Sequence, residues 1–299
     1  MSKINNFIDK LKQGDQRSLA RAISLVENES LNYKDILENL NIDHNVQVIG
    51  VTGPPGAGKS TLVNALVTAL ANEGNRVGVV AVDPTSPFNF GSLLGDRIRM
   101  SSLFLNENVF IRSLATRGSL GGLSVKAIEI VDVMKSANFD YIIVETVGVG
   151  QSEVEIAGLA DTSVVVMVPE AGDDVQVIKS GIMEIAHIFL VNKADRDGAE
   201  IFCSNLRKLI HDRPKGDWNI PVLKAVATKN EGIDELIEAI KSHKSEPHGQ
   251  HRTLLLAEKA YHLIREKRMH DISKRELTEK IQEAIKTEGF NLYKWLNNY

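Results

Sequence analysis

The stretch GPPGAGKST at residues 53–61 limits the possible folds more than any other part of the chain. Its pattern, G-x-x-x-x-G-K-[ST], has chemical sense only where a strand turns directly into a helix. That context is present. VQVIGV at 46–51 is a buried-strand run, and TLVNALVTAL at 61–70 has helical spacing. Between them Gly53, Gly56 and Gly58 let successive backbone N–H groups wrap phosphate oxygens at the positive end of a helix. Pro54, Pro55 and Ala57 complete the loop, and Thr61 follows it into the helix. Lys59 would reach the β- and γ-phosphates, and the Ser60 hydroxyl would ligate Mg²⁺.

The same strand-then-helix texture continues along the chain. RVGVVAV (76–82), VFIRSL (109–114), YIIVET (141–146), SVVVMV (163–168), HIFLVN (187–192) and PVLKAVA (221–227) read as strands. Several are apolar without alternation, as strands covered on both faces must be. Helical stretches such as 60–72 and 122–137 lie between them. The expected fold class is therefore α/β, a mostly parallel sheet flanked by helices, with helical extensions at both ends.

Residues 1–44 read as helices, with Leu19, Ile23 and Val26 of RSLARAISLVEN on one face. The polar KSHKSEPHGQH at 241–251 reads as a linker, with two helices beyond it. The second opens on the capping pattern SKRE at 273–276 and carries Leu277, Ile281 and Ile285 on one face. The expected division is a helical extension at 1–44, a nucleotide domain at 45–242 and a helical arm at 243–299. Five histidines between 243 and 270 lack paired ligand spacing and read as part of a solvated linker.

Bulk properties exclude some partners. A formal charge of −4 gives no basic footprint for nucleic acid. No run approaches the ~18 apolar residues that span a bilayer, and the mixed start MSKINNFIDKLKQGD is unlike a secretory signal. Cys203, the single cysteine, lies in a helical pattern and reads as a buried thiol in a reducing compartment. A cytoplasmic location is expected.

HIFLVNKAD ends in Asn192-Lys193-Ala194-Asp195 at a strand end, about 130 residues after the phosphate loop. An Asp carboxylate accepts from both N1–H and N2–H of guanine, whereas adenine offers no such donor pair there. Leaving the carboxylate unpaired is costly, so GTP is favoured over ATP by roughly 10⁴. Asn192 would contact N7 or brace the loop, and the Lys193 stem would cover the ring. Val226, Ala227 and Thr228 follow the last strand, where a backbone N–H would meet the guanine carbonyl.

Asp83 ends a strand run and would touch Mg²⁺, directly or through water, or orient the attacking water. Asp96 in GSLLGDRIRM is a second metal candidate. Glu145 of ETVGVGQSE takes the place of the usual Asp of Asp-x-x-Gly, one carbon longer, which suits a metal-linked switch. Gly148 would donate its N–H to the γ-phosphate. Gln151 and Glu153 would position water or open a helix, and Arg117 in TRGSLGGLS would meet phosphate or a partner's carboxylate. Lys59, Asp83 and Glu145 form the expected catalytic set.

Taken in order, GPPGAGKST, VAVDPTSP, GSLLGDRIRM, ATRGSLGGLS, VETVGVGQSE and VNKAD resemble the MeaB/ArgK family of P-loop GTPases, of the signal-recognition/MinD-like class. The resemblance implies a GTPase chaperone of an adenosylcobalamin-dependent acyl-CoA mutase, usually methylmalonyl-CoA mutase, that protects the mutase and gates cofactor delivery. It also implies GTP/GDP and Mg²⁺ as ligands, and a homodimer formed through terminal helices. In that family Glu is normal at the position of Glu145. PFNFG (87–91) departs from the small residues usual before that glycine. An older label for the family, a kinase of amino-acid (LAO/AO) transport, and a metal-insertion or targeting GTPase of the same class are the alternatives.

Overall fold

The structure is a computed structural model, and it describes residues 3–83, 100, 103, 105–115, 125–146, 156–170, 183–211, 218–244, 249–269, 271–286 and 289–296. By its contacts the chain divides into two compact units, Met1–Leu256 and Ala257–Tyr299.

The first unit is built on a seven-stranded sheet. Its strands are β1 (Gln47–Thr52), β2 (Val77–Asp83), β3 (Val109–Ala115), β4 (Tyr141–Glu145), β5 (Thr162–Met167), β6 (Ile188–Val191) and β7 (Val222–Lys224). They lie in the order β3-β2-β4-β1-β5-β6-β7, and every pair is parallel. β1, β4 and β5 are buried along their whole length. This explains their unbroken apolar runs, because side chains on both faces meet helices.

Three helices open the chain: α1 (Lys3–Lys12), α2 (Gln16–Glu27) and α3 (Tyr33–Glu38). α4 (Lys59–Asn72), α5 (Val125–Lys135), α6 (Ala199–His211) and α7 (Ile233–Lys244) flank the sheet. On one face Val51, Val164 and Leu190 pack with Leu62 and Leu66 of α4 and Leu236 of α7. On the other, Val80 and Val144 pack with Val131 of α5 and with Leu19, Ile23 and Val26 of α2, the expected apolar stripe. Further along that second face, Val165 and Phe189 pack with Phe202 and Cys203 of α6. Burial pushes the Cys203 thiol pKa upward, in keeping with a structural cysteine.

The region read as a linker differs. α7 continues through Lys244, and α8 (Gly249–Met269) begins five residues later. His243 is buried, not solvated: its Nδ1 lies 2.8 Å from the Thr162 hydroxyl, and its ring lies 4.3 Å from that of His187. Ile240 and His243 occupy one buried face of α7, and the lysines beside them hide that spacing in the sequence.

Beyond α8 stand α9 (Lys274–Ala284) and a short α10 (Leu292–Leu296), one more helix than expected after 250. Ser273 caps α9 through Glu276 N–H at 3.4 Å, as the SKRE pattern predicts.

Candidate functional site

In a parallel sheet every strand ends on the same edge. Ligands settle beyond the carboxyl ends where the strand order reverses. Here the chain steps from β1 across β4 to β2, and later from β4 across β1 to β5. The reversal lies at β1, and the GPPGAGKST loop leaves its end.

Three glycines of that loop have left-handed or related backbone: Gly53 (φ 138°), Gly56 (φ 77°) and Gly58 (φ 84°). At Gly53 a Cβ would lie 2.1 Å from the Val166 carbonyl oxygen, so the loop root fits only against a bare Cα. α4 starts directly after Gly58 and has no side-chain cap. Its first N–H groups therefore face the crevice without an internal acceptor, the electrostatic basis of a phosphate site. Lys59 is buried, and its Nζ donates to the Gly53 and Pro54 carbonyls at 2.8 and 3.1 Å.

Ser60 and Glu145, 85 residues apart, meet here: the Ser60 hydroxyl donates to Glu145 Oε1 at 2.7 Å, and both are buried. Register explains the meeting. Glu145 lies level with Val51 of β1 and Ala81 of β2, so β4 delivers its carboxylate beside the start of α4. Two residues past Ala81, Asp83 ends β2 on the same edge. The Asp83 side chain, Asp96, Arg117, Gly148, Gln151, Glu153 and PFNFG lie outside the described residues.

The base-side residues come together as well. Asn192 is buried, and its amide donates to Ala57 O at 2.8 Å while its Oδ1 accepts from Ala227 N–H at 3.2 Å. Of the two roles open to it, bracing is the one that its bonds perform. Lys193, itself at φ 55°, donates to Gly56 O at 2.8 Å. Asp195 is exposed at the crevice edge and pairs with Lys229 at 3.4 Å. Val226 and Ala227 are buried and Thr228 is exposed, in the turn after β7.

Sequence reasoning missed two elements. Lys229, on that same turn, faces Asp195. The Thr146 hydroxyl donates to that of Thr52 at 2.9 Å, a buried bond linking the ends of β4 and β1. The signal for the second was a threonine just past each strand's last valine, one residue after it in GVTG and two after it in VETV.

An oxygen-only set of a hydroxyl and a carboxylate suits a hard divalent cation such as Mg²⁺. Among the described residues, Ser60 and Glu145 form that set.

Residues 19–285 match the family described as methylmalonyl Co-A mutase-associated GTPase MeaB. A protein of Pyrococcus horikoshii named as a GTPase is 49% identical over 249 residues, covering 82% of this chain and 78% of its own. A mouse protein, the methylmalonic aciduria type A homolog, mitochondrial, is 34% identical over 266 residues, covering 80% of this chain and 63% of its own. The solved structure of an LAO/AO transport system kinase superimposes with a TM-score of 0.74 at 28% identity, covering 100% of this chain and 97% of that one. A phosphate loop at the reversal of an all-parallel sheet, with the NKAD segment on the same edge, stands in a chain that belongs to the MeaB family of P-loop GTPases.

Proposed function

We propose that this GTPase is a chaperone of an adenosylcobalamin-dependent acyl-CoA mutase, methylmalonyl-CoA mutase first among them, gating cofactor loading and protecting the mutase. The observation that carries this is the family match over 19–285, whose description names mutase association. The mouse relative named for methylmalonic aciduria supports the same reading.

In this proposal the phosphate loop and α4 hold the triphosphate, and Lys59 turns from the loop carbonyls to the β- and γ-phosphates. Ser60, Glu145, Asp83 and Asp96 are the residues that would hold Mg²⁺, which supplies charge neutralisation at the phosphates. Water attacks the γ-phosphorus, the bond to the β-phosphate oxygen breaks, and GDP and phosphate leave. Asp195 reads guanine, while Asn192 and Lys193 hold the base loop to the phosphate loop. The helices after 242 form a homodimer arm. Tyr261, Ile264, Ile285, Leu292 and Tyr293 leave large apolar surface exposed there.

Basal turnover is expected to be slow and partner-stimulated. The test is GTP hydrolysis with and without cobalamin-dependent mutases of the same organism. Fast turnover indifferent to every mutase would sink the reading. The name of the LAO/AO neighbour favours a second reading, a transport-linked kinase. It requires label from [γ-³²P]GTP to appear covalently on a binding protein.

A further inference from the structure

We propose that the cavity between α1 and the start of α2 docks an acidic segment of the partner mutase; this rests on the function proposed above. The cavity has a volume of about 530 Å³. Phe7 and Lys10 line it from α1, and Arg17, Ser18 and Arg21 line it from α2. Arg17 and Arg21 are four residues apart, one above the other on the helix, so their guanidinium forks face the same space. Such a pair suits carboxylates, which accept two parallel N–H bonds from each fork.

Several other described cations pair with carboxylates. Arg112 pairs with Glu27, Lys126 with Glu29 and Glu129, Arg196 with Glu170, and Lys224 with Glu200. Lys10, Arg17 and Arg21 pair with no described residue. The one carboxylate lining the cavity, Asp15, is committed: its Oδ2 accepts from Ser18 N–H at 2.8 Å as the cap of α2. Hydrogen bonds with Ser18, with the charges of Lys10 and Arg17 added, hold its pKa below the usual carboxylate range. The cavity thus keeps a surplus of positive charge in a chain whose net charge is −4. Complementary charge is the stated chemistry of the occupant: Asp or Glu side chains, with Phe7 beneath an apolar neighbour.

The position also gives docking a consequence. The buried side of α2 packs against α5, and just past its end Glu29 pairs with Lys126 at 3.0 Å. Glu27 of α2 reaches Arg112 on β3. A segment held by Arg17 and Arg21 therefore grips a helix fastened to both elements that flank residues 116–124.

The test compares mutase affinity of the full chain with that of Arg17→Glu/Arg21→Glu, at low and high salt, with Lys208→Glu on α6 as a charge-reversal control away from the cavity. Acidic residues suit the first turn of a helix, so the reversal at Arg17 spares α2. Basal GTP turnover of the double variant should stay at the wild-type level, which reports intact folding. The expected result is mutase binding weakened at least about tenfold, with most of its salt dependence lost, and no change in the control. Equal binding by wild type and double variant overturns the docking site alone. Competition by inorganic pyrophosphate but not by a Glu-rich peptide also overturns it, in favour of a small oxyanion. A wild-type chain that binds no mutase overturns the proposed function, and the docking site with it.

Discussion

Gly58 and Asn192 are predicted to be energetically coupled. A Cβ on Gly58 would lie 2.5 Å from Asn192 Nδ2, and Gly58 already sits at φ 84°. Gly58→Ala therefore carries a left-handed strain of about 1–2 kcal/mol. It also pushes away the Asn192 amide, breaking the 2.8 Å bond to Ala57 O, at about 1–2 kcal/mol more. Asn192→Ala leaves two buried backbone groups, Ala57 O and Ala227 N–H, without that amide. At about 1–3 kcal/mol per orphaned group, less where crevice water enters, the loss is roughly 2–4 kcal/mol. In the double variant the collision is gone and only the backbone strain adds. The total should then be about 3–6 kcal/mol, with a coupling of about 1–2 kcal/mol against additivity. Urea unfolding followed by circular dichroism measures all three variants, and GDP binding should weaken about tenfold or more in each single variant. Losses that add within about 0.5 kcal/mol would refute the contact, because independent sites behave that way.

Lys59→Ala should abolish GTP binding or turnover, read by nucleotide affinity and phosphate release. Asp195→Asn should weaken the preference for guanine over other purine nucleotides in competition assays, and retained selectivity would show that the NKAD segment is not the base reader. Burial opposes the charge on Lys126, but its hydrogen bonds to Glu129 and Glu29 outweigh this and raise its pKa. A raised folded-state pKa gives stability that is complete below the ordinary lysine value of about 10.4 and is lost as pH rises through the raised one. Lys126→Gln should therefore flatten the alkaline limb of the unfolding free energy. Cys203, buried with its pKa raised, should react with a thiol reagent only at the rate of unfolding.

The phosphate loop was legible because its chemistry is local: three glycines, a lysine and a hydroxyl between a strand and a helix suffice. Glu145 was legible for a different reason. Once the strands are read as parallel, each strand end lies on one edge, and an acid at such an end has a place. What stayed hidden depends on strand order and side-chain pairing over long sequence distances. No pattern in VNKAD says that Asn192 spends both ends of its amide within the protein, or that Lys193 reaches Gly56 O, 137 residues away. His243 was misread because polarity was counted residue by residue. Its imidazole is buried through a Thr162 hydroxyl and the rings of His187 and Trp218, partners far from it in sequence.

These bonds divide the site into a base-side half and a metal-side half. On the β6 side, Asn192 and Lys193 donate to the carbonyls of Ala57 and Gly56. Carbonyl oxygens are not phosphate ligands, so these bonds can persist whatever nucleotide is held. The base loop and the phosphate loop then behave as one body. On the β4 side the tie is the Ser60 hydroxyl to Glu145. In the proposed metal-bound state the Ser60 lone pairs turn to the cation while its hydrogen goes on donating to Glu145, so the carboxylate feels the arrival and loss of the metal-bound triphosphate through this bond. Glu145 is followed at once by Thr146, whose hydroxyl bond to Thr52 holds the strand end still. A change felt at Glu145 should therefore not spread back along β4 into the sheet. The difference between GTP and GDP should accordingly be felt beyond the end of β4, with the guanine side unchanged.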